Sequence, residues 1–219
     1  MVLNDKTRNR VIPIAIYQSQ KKQKKASKLV IISHGYGQNK GGAYLGYSFI
    51  AEFLASKGYF VVSIQHELPT DDLIPMEGKP QVVRRPFWDR GADNILFVLQ
   101  QMKKSHPKLN YKDITLIGHS NGGDMTALFP QKYPNKIQRI ITLDNRRMAL
   151  PLSKSVKVLS LRSSDQPADE GVLPTAEDQT KYTIQLIKLP NTIHNHMDDE
   201  ATPAQRAEIN GYIWEFLNK

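Results

Sequence analysis

The chain has 219 residues, 40% hydrophobic and 23% charged, enough length and apolar content for one domain, residues 1–219, with a large core. It contains no cysteine, which excludes disulfides, a thiolate nucleophile and cysteine-ligated metal, and no run approaches the roughly 18 apolar residues of a membrane-spanning helix. The formal net charge is +9, but the densest basic run, Lys21, Lys22, Lys24, Lys25 and Lys28, lacks interleaved aromatics and any nucleic-acid motif. It reads as a solvated hairpin loop, and no nucleic-acid partner is expected.

The start, Met1-Val2-Leu3-Asn4-Asp5-Lys6, turns polar too early for a signal peptide. A complete chain would be cytoplasmic; a trimmed leader would allow secretion. Strand-like runs then recur at Val11–Tyr17, Leu29–Ser33, Tyr59–Ile64, Ile114–Ile117, Ile137–Leu143, Val156–Leu161 and Thr183–Leu189. The central ones are near-continuous Val, Ile and Leu, as strands buried on both faces require. Helical spacing lies between them: Phe49, Ile50, Phe53 and Leu54 with Gly58 as the stop, then Ile95, Leu96, Val98, Leu99 and Met102 with Pro107 beyond. Met125, Leu128 and Phe129 follow as an amphipathic stretch. A last helix opens at Thr202-Pro203, an N-cap with proline at the first helical position, and carries Ile209, Ile213, Phe216 and Leu217. This alternation predicts an α/β fold, a mostly parallel central sheet of about seven or eight strands with helices on both faces and no large cap domain. The longest irregular stretch, Glu67 to Arg90, holds Pro69, Pro75, Pro80 and Pro86. It either rims a substrate site or packs over the sheet edge.

Directly after Asp113-Ile114-Thr115-Leu116-Ile117 comes Gly118-His119-Ser120-Asn121-Gly122-Gly123. G-x-S-x-G between a strand and a helix is the nucleophile-elbow pattern, which holds the serine on a strained turn at the carboxyl end of a sheet. A serine hydroxyl is a weak nucleophile. It needs a base to take its proton and a carboxylate to orient that base, in the chain order Ser, Asp or Glu, His. Only His194 and His196 follow Ser120, and His194 is the expected base, swung back by Pro190-Asn191-Thr192-Ile193. Asp165, just past the strand Val156–Leu161, is the expected acid. Asp144, at the end of the preceding strand, is the alternative, and Asp169 a third. His119, the variable elbow residue, is expected to point away from the nucleophile.

An oxyanion hole needs two backbone N–H donors. Asn121 should supply one and Tyr36, in His34-Gly35-Tyr36-Gly37, the other, with His34 bracing that loop. His66 and His106 read as structural or solvated. His194-Asn195-His196 with Asp198 and Asp199 only superficially resembles a ligand cluster, so neither metal nor cofactor is expected. Gly41-Gly42 lacks the Lys-Ser/Thr of a phosphate loop.

With these residues placed, the chain resembles the α/β-hydrolase superfamily over nearly its whole length. Within it, the likeness is to the platelet-activating-factor acetylhydrolase, chlorophyllase and dienelactone-hydrolase-like group. It rests on Ser33-His34-Gly35-Tyr36-Gly37, on Leu54-Ala55-Ser56-Lys57-Gly58-Tyr59, on Gly118 to Gly123, on Leu143-Asp144, and on the opening Asp5, Arg8, Arg10 and Tyr17. The resemblance implies serine-dependent, cofactor-free hydrolysis of a small-molecule carboxylic ester. Dienelactone hydrolases use a cysteine nucleophile, which this chain lacks. The superfamily carries its acid after either the sixth or the seventh strand, matching Asp144 or Asp165. An uncapped site should favour short acyl chains. The same three residues in an amidase or acyltransferase, or a binding protein on the same scaffold, are the alternatives.

Overall fold

The structure, a computed structural model, describes residues 1–21 and 25–219; Lys22 and Lys24 of the lysine run lie outside the described residues. The elements, in chain order, are β1 Val2–Asp5, β2 Arg10–Tyr17, β3 Lys28–Ser33, α1 Ser48–Ser56, β4 Phe60–Ile64, α2 Pro80–Val83, α3 Arg85–Ser105, β5 Asn110–His119, α4 Ser120–Lys132, β6 Arg139–Leu143, β7 Lys157–Arg162, α5 Ala176–Tyr182, β8 Ile184–Lys188 and α6 Pro203–Leu217. Among the described residues, eight strands form one sheet in the order β1-β2-β4-β3-β5-β6-β7-β8. Pairing is antiparallel for β1–β2 and β2–β4, and parallel from β4 through β8.

The near-continuous apolar strands are covered on both faces. Leu29 and Ile31 of β3 pack into one core with Trp88, Ile95 and Leu99 of α3 and Met125, Leu128 and Phe129 of α4. Val30 and Ile32 turn the other way, into a second core with Ile50 and Leu54 of α1 and Ile209, Ile213 and Phe216 of α6. Period-two alternation along a strand with both sides apolar is what a sheet sandwiched by helices demands. α4, expected to be amphipathic, is buried from Asn121 through Pro130, because α3 covers the side that would otherwise meet water. α6 starts on a capping box formed by Thr202 and Gln205, with Pro203 in its first turn.

Two expectations change. The segment between β2 and β3 is not a hairpin, because β4 lies between those two strands. Of its lysines, Lys28 ends 2.7 Å from Asp113. The stretch from Glu67 to Arg90 is also partly ordered as helix: α2 and the first turns of α3 fall within it, with Pro80 and Pro86 both accepted at helix starts. Among the described residues, no helix is long and apolar enough to cross a membrane.

The parallel strands β3, β5, β6, β7 and β8 end on one edge of the sheet. The loops leaving that edge carry Tyr36, Ser120, Asp144, Asp165 and His194. Sites of open α/β sheets lie at this carboxyl edge because the connections there are free to vary without disturbing the ladder.

Candidate active site

β5 runs into α4 with no linker, so the chain must reverse at Ser120, which takes φ of 50°. For a residue with a Cβ this left-handed conformation is strained, and the surroundings hold it. A Cβ on Gly118 would strike the carbonyl of Gly122 and the hydroxyl of Thr126, and one on Gly122 would strike the carbonyls of Ser33 and His34. The two glycines of the motif are therefore what lets α4 seat against the end of β3. Ser120 is half-buried, with its hydroxyl at the cleft.

His194 sits in a short 3₁₀ turn, His194–His196, beyond β8. Its Nε2 lies 2.9 Å from Ser120 Oγ, and its Nδ1 lies 2.5 Å from Asp144 Oδ2. Asp144, fully buried at the end of β6, takes φ of 55°, a conformation that aspartate tolerates better than most residues. Burial alone would raise the Asp144 carboxyl, but the hydrogen bond from His194, the Arg162 guanidinium 3.0 Å away and the Ser163 donors hold it below the ordinary carboxylate range. The group facing the imidazole is thus an anion.

The expectation that Asp165 faces the imidazole is corrected. Asp165 is exposed, and its carboxylate accepts the backbone N–H of His194 at 2.7 Å. It holds the loop and does not reach the ring. The reason is strand order. β6 is the immediate neighbour of β5, so its end lies beside the elbow, whereas β7 is one strand further out. Asp169 is engaged elsewhere, by Arg147 at 2.6 Å and Gln81 at 2.9 Å.

His119 does not point away. Its Nε2 donates to the His194 carbonyl at 3.1 Å, its Nδ1 accepts the Tyr47 hydroxyl at 2.7 Å, and its ring lies 4.8 Å from that of His194. Tyr47 in turn accepts the N–H of Gly35 at 2.9 Å, linking the loop after β3 to the loop after β8. Burial, with His194 adjacent, pulls His119 down to about 3, so it stays neutral as these bonds require. The sequence offered no local signal for Tyr47: its partners lie 12 and 72 positions away.

Tyr36 and Asn121 flank the hydroxyl. Ser120 is the first residue of α4, so the N–H of Asn121 falls in the first turn, where helix geometry leaves donors without an internal acceptor. The Asn121 side chain is fixed from both ends: Trp88 Nε1 donates to it at 2.8 Å, and it donates to buried Glu67 at 2.8 Å. His34 braces the other loop, with Nδ1 2.5 Å from the Gly35 carbonyl and Nε2 accepting the His66 N–H at 3.0 Å. Asp199 accepts the N–H groups of Ser48 and Phe49 at 2.9 and 3.0 Å. It therefore serves as an acceptor for the start of α1 and ties the histidine loop to it.

Two cavities meet at Tyr36 and Ser120. One, of about 360 Å³, is lined by Gly35, Tyr47, His119, His194, Asp198 and Glu200 among others. The second, of about 170 Å³, is lined by Ile74, Met76, Arg84, Asp124, Arg146 and Arg147 with Tyr36, Ser120 and Asn121. The loop after β4 therefore rims the site.

Comparison with known proteins agrees with this architecture. Residues 28–166 match the family model described as alpha/beta hydrolase fold, and the chain belongs to that family. A Drosophila melanogaster protein named "Probable serine hydrolase" is 26% identical over 124 residues, 57% of this chain and 34% of that protein; the chain thus spans about a third of that relative's length. A lidless α/β serine hydrolase from Xanthomonas campestris superposes with a TM-score of 0.61 at 16% identity, covering 96% of this chain and 89% of the other. Est1E from Butyrivibrio proteoclasticus gives 0.65 at 15% identity, covering 100% and 99%. At such identities the structural likenesses establish the fold.

Proposed function

We propose that this member of the α/β-hydrolase family is a serine esterase acting on small-molecule carboxylic esters. The observation that carries the reading is one continuous array, Ser120 Oγ to His194 Nε2 at 2.9 Å and His194 Nδ1 to Asp144 Oδ2 at 2.5 Å, open to two cavities. Ser120 Oγ attacks the ester carbonyl as His194 Nε2 takes its proton. Asp144 keeps the imidazole in the tautomer that can accept at Nε2 and stabilises the imidazolium that results. The N–H groups of Tyr36 and Asn121 hold the tetrahedral oxyanion. Collapse returns the proton from His194 to the leaving alcohol and leaves Ser120 acylated. Water, deprotonated by the same imidazole, then releases the acid. Cavities of about 360 and 170 Å³ suit short chains on both sides of the scissile bond.

The test is hydrolysis of 4-nitrophenyl esters from acetyl to palmitoyl by the wild type and Ser120→Ala, with mass spectrometry after treatment with a fluorophosphonate. Turnover that falls with chain length, vanishes in Ser120→Ala and is blocked by one adduct on Ser120 is the expected result. A folded wild type that turns over no ester and takes no adduct overturns the reading. Faster cleavage of matched anilides than of esters would replace the esterase by an amidase.

A further inference from the structure

The two cavities at Ser120 carry opposite charge. The smaller is lined by three arginines, Arg84, Arg146 and Arg147, and one aspartate, Asp124. Asp124 is buried and turned to the backbone, accepting the N–H groups of Arg147 and Met148, both at 2.9 Å. Arg147 is shared with Asp169 at 2.6 Å, but its Nε is buried without a partner. Arg84 Nε donates to the carbonyl of Pro75 at 2.9 Å, and Arg84 has no carboxylate within ion-pair range among the described residues. The Arg146 side chain has no hydrogen bond or ion pair with any other described residue. Burial, then the like charge of Arg147, disfavour the charged form of Arg84; Asp124 opposes this and Arg146 adds to it. The larger cavity has the reverse sign, with Asp198 and Glu200 on its wall and His119 held neutral.

Resting on the reading of Ser120 as the nucleophile, we infer that the ester cleaved here carries an anionic group, a carboxylate or a phosphate. That group enters the Arg84–Arg146–Arg147 cavity, and the portion on the other side of the scissile bond is neutral or cationic. Guanidinium forks bind carboxylate and phosphate oxygens by paired, charge-assisted hydrogen bonds. A cavity that opens directly on Ser120 places that anion only a few atoms from the reacting carbonyl. Asp198 and Glu200 repel a second anion on the opposite side, so the charge also fixes the direction in which the substrate lies.

The experiment compares matched pairs. Mono(4-nitrophenyl) glutarate against its methyl ester puts the anion on the acyl side. 4-Acetoxybenzoate and 4-acetoxyphenyl phosphate against methyl 4-acetoxybenzoate put it on the alcohol side and separate carboxylate from phosphate. One side should favour the anionic member in kcat/KM by about tenfold or more, as charge-assisted hydrogen bonds allow, and the preference should shrink with added salt. Arg146→Gln and Arg84→Gln should bring that ratio near one, while Lys154→Gln, at an exposed position remote from the cleft, keeps it. A ratio at or below one on both sides, or one that survives both arginine substitutions, overturns the inference and leaves the esterase intact. If no ester is turned over, the esterase reading falls instead. Calorimetric titration with glutarate then decides the anion site alone: binding weakened by Arg146→Gln keeps it, and no binding removes it.

Discussion

Asp144 Oδ2 lies 2.5 Å from His194 Nδ1, while the backbone N–H of the same histidine is held at 2.7 Å by a different carboxylate, Asp165. One aspartate orients the ring and the other positions the loop, and the two contacts respond differently to an amide. Asp144→Asn puts a neutral group, able to donate, against Nδ1 and so favours the wrong tautomer. A loss in kcat of about 10⁴ is expected, the size seen when such an acid is amidated elsewhere. Asp165→Asn keeps an oxygen to accept the backbone N–H and should cost less than about tenfold, within the weakening of one charged hydrogen bond to a neutral one. Steady-state kinetics of both variants check this; equal losses would contradict the assignment.

That pair also shows where sequence reading stops. The Gly118–Gly123 motif is local, so the strand-to-helix turn and the placement of Ser120 could be read from consecutive residues. The central strands are equally legible, because burial on both faces leaves an uninterrupted apolar run, whereas β1, Val2–Asp5, is short, largely exposed and polar over half its length, and carries no such run. The acid was not, since Asp144 and Asp165 both follow apolar strands and nothing in periodicity says which strand lies beside β5. β6 does, and only the assembled sheet shows it. His119 and Tyr47 escaped for a related reason: their partners lie far off in sequence, and a hydrogen bond across loops has no spacing signature. The rim formed by Arg84, Arg146 and Arg147 joins two connections whose sequences, taken singly, look like ordinary basic loops.

Tyr47 joins the two loops that frame the cleft, accepting from Gly35 and donating to His119. Tyr47→Phe leaves the buried His119 Nδ1 and the half-buried N–H of Gly35 unsatisfied, a loss of about 2 kcal/mol in stability. Because both loops supply groups near Ser120, kcat should fall more than KM changes. Denaturant unfolding and kinetics of the same preparation measure the two effects. An unchanged kcat in a destabilised variant would reduce Tyr47 to a packing role.

Gly122 and Gly211 make opposite predictions for the same substitution. A methyl group at Gly122 meets the carbonyl of His34 and that of Ser33, the last residue of the β3 ladder, whereas one at Gly211 in α6 meets nothing within 4 Å. Gly122→Ala should lose at least about 2 kcal/mol by overpacking, with activity falling as the elbow shifts. Gly211→Ala should gain about 0.5–1 kcal/mol, the helix-interior preference for alanine. Urea unfolding midpoints would show whether the signs differ.

The buried His119 gives stability a pH dependence whose sign can be worked out. In the folded protein His119 titrates at about 3, against 6.5 ordinarily. Between these values the unfolded chain binds a proton that the folded chain does not, so stability is complete above about pH 6.5 and drains as pH falls. Asp124 works the other way. Burial pushes it up to about 6 from 3.8, so the folded form gains its proton first, and that contribution rises as pH falls from 6 toward 4. Comparing each position with a non-titrating variant separates the two. The stability difference between wild type and His119→Gln should shrink by about 1–2 kcal/mol from pH 7 to pH 5, since one differential proton is worth about 1.36 kcal/mol per pH unit. The difference between wild type and Asp124→Asn should move the opposite way over pH 6 to 4. Denaturant unfolding across that range measures both. A His119→Gln difference independent of pH would mean that the histidine charges in the folded state, which the donor from Tyr47 and the acceptor at the His194 carbonyl could not both accommodate.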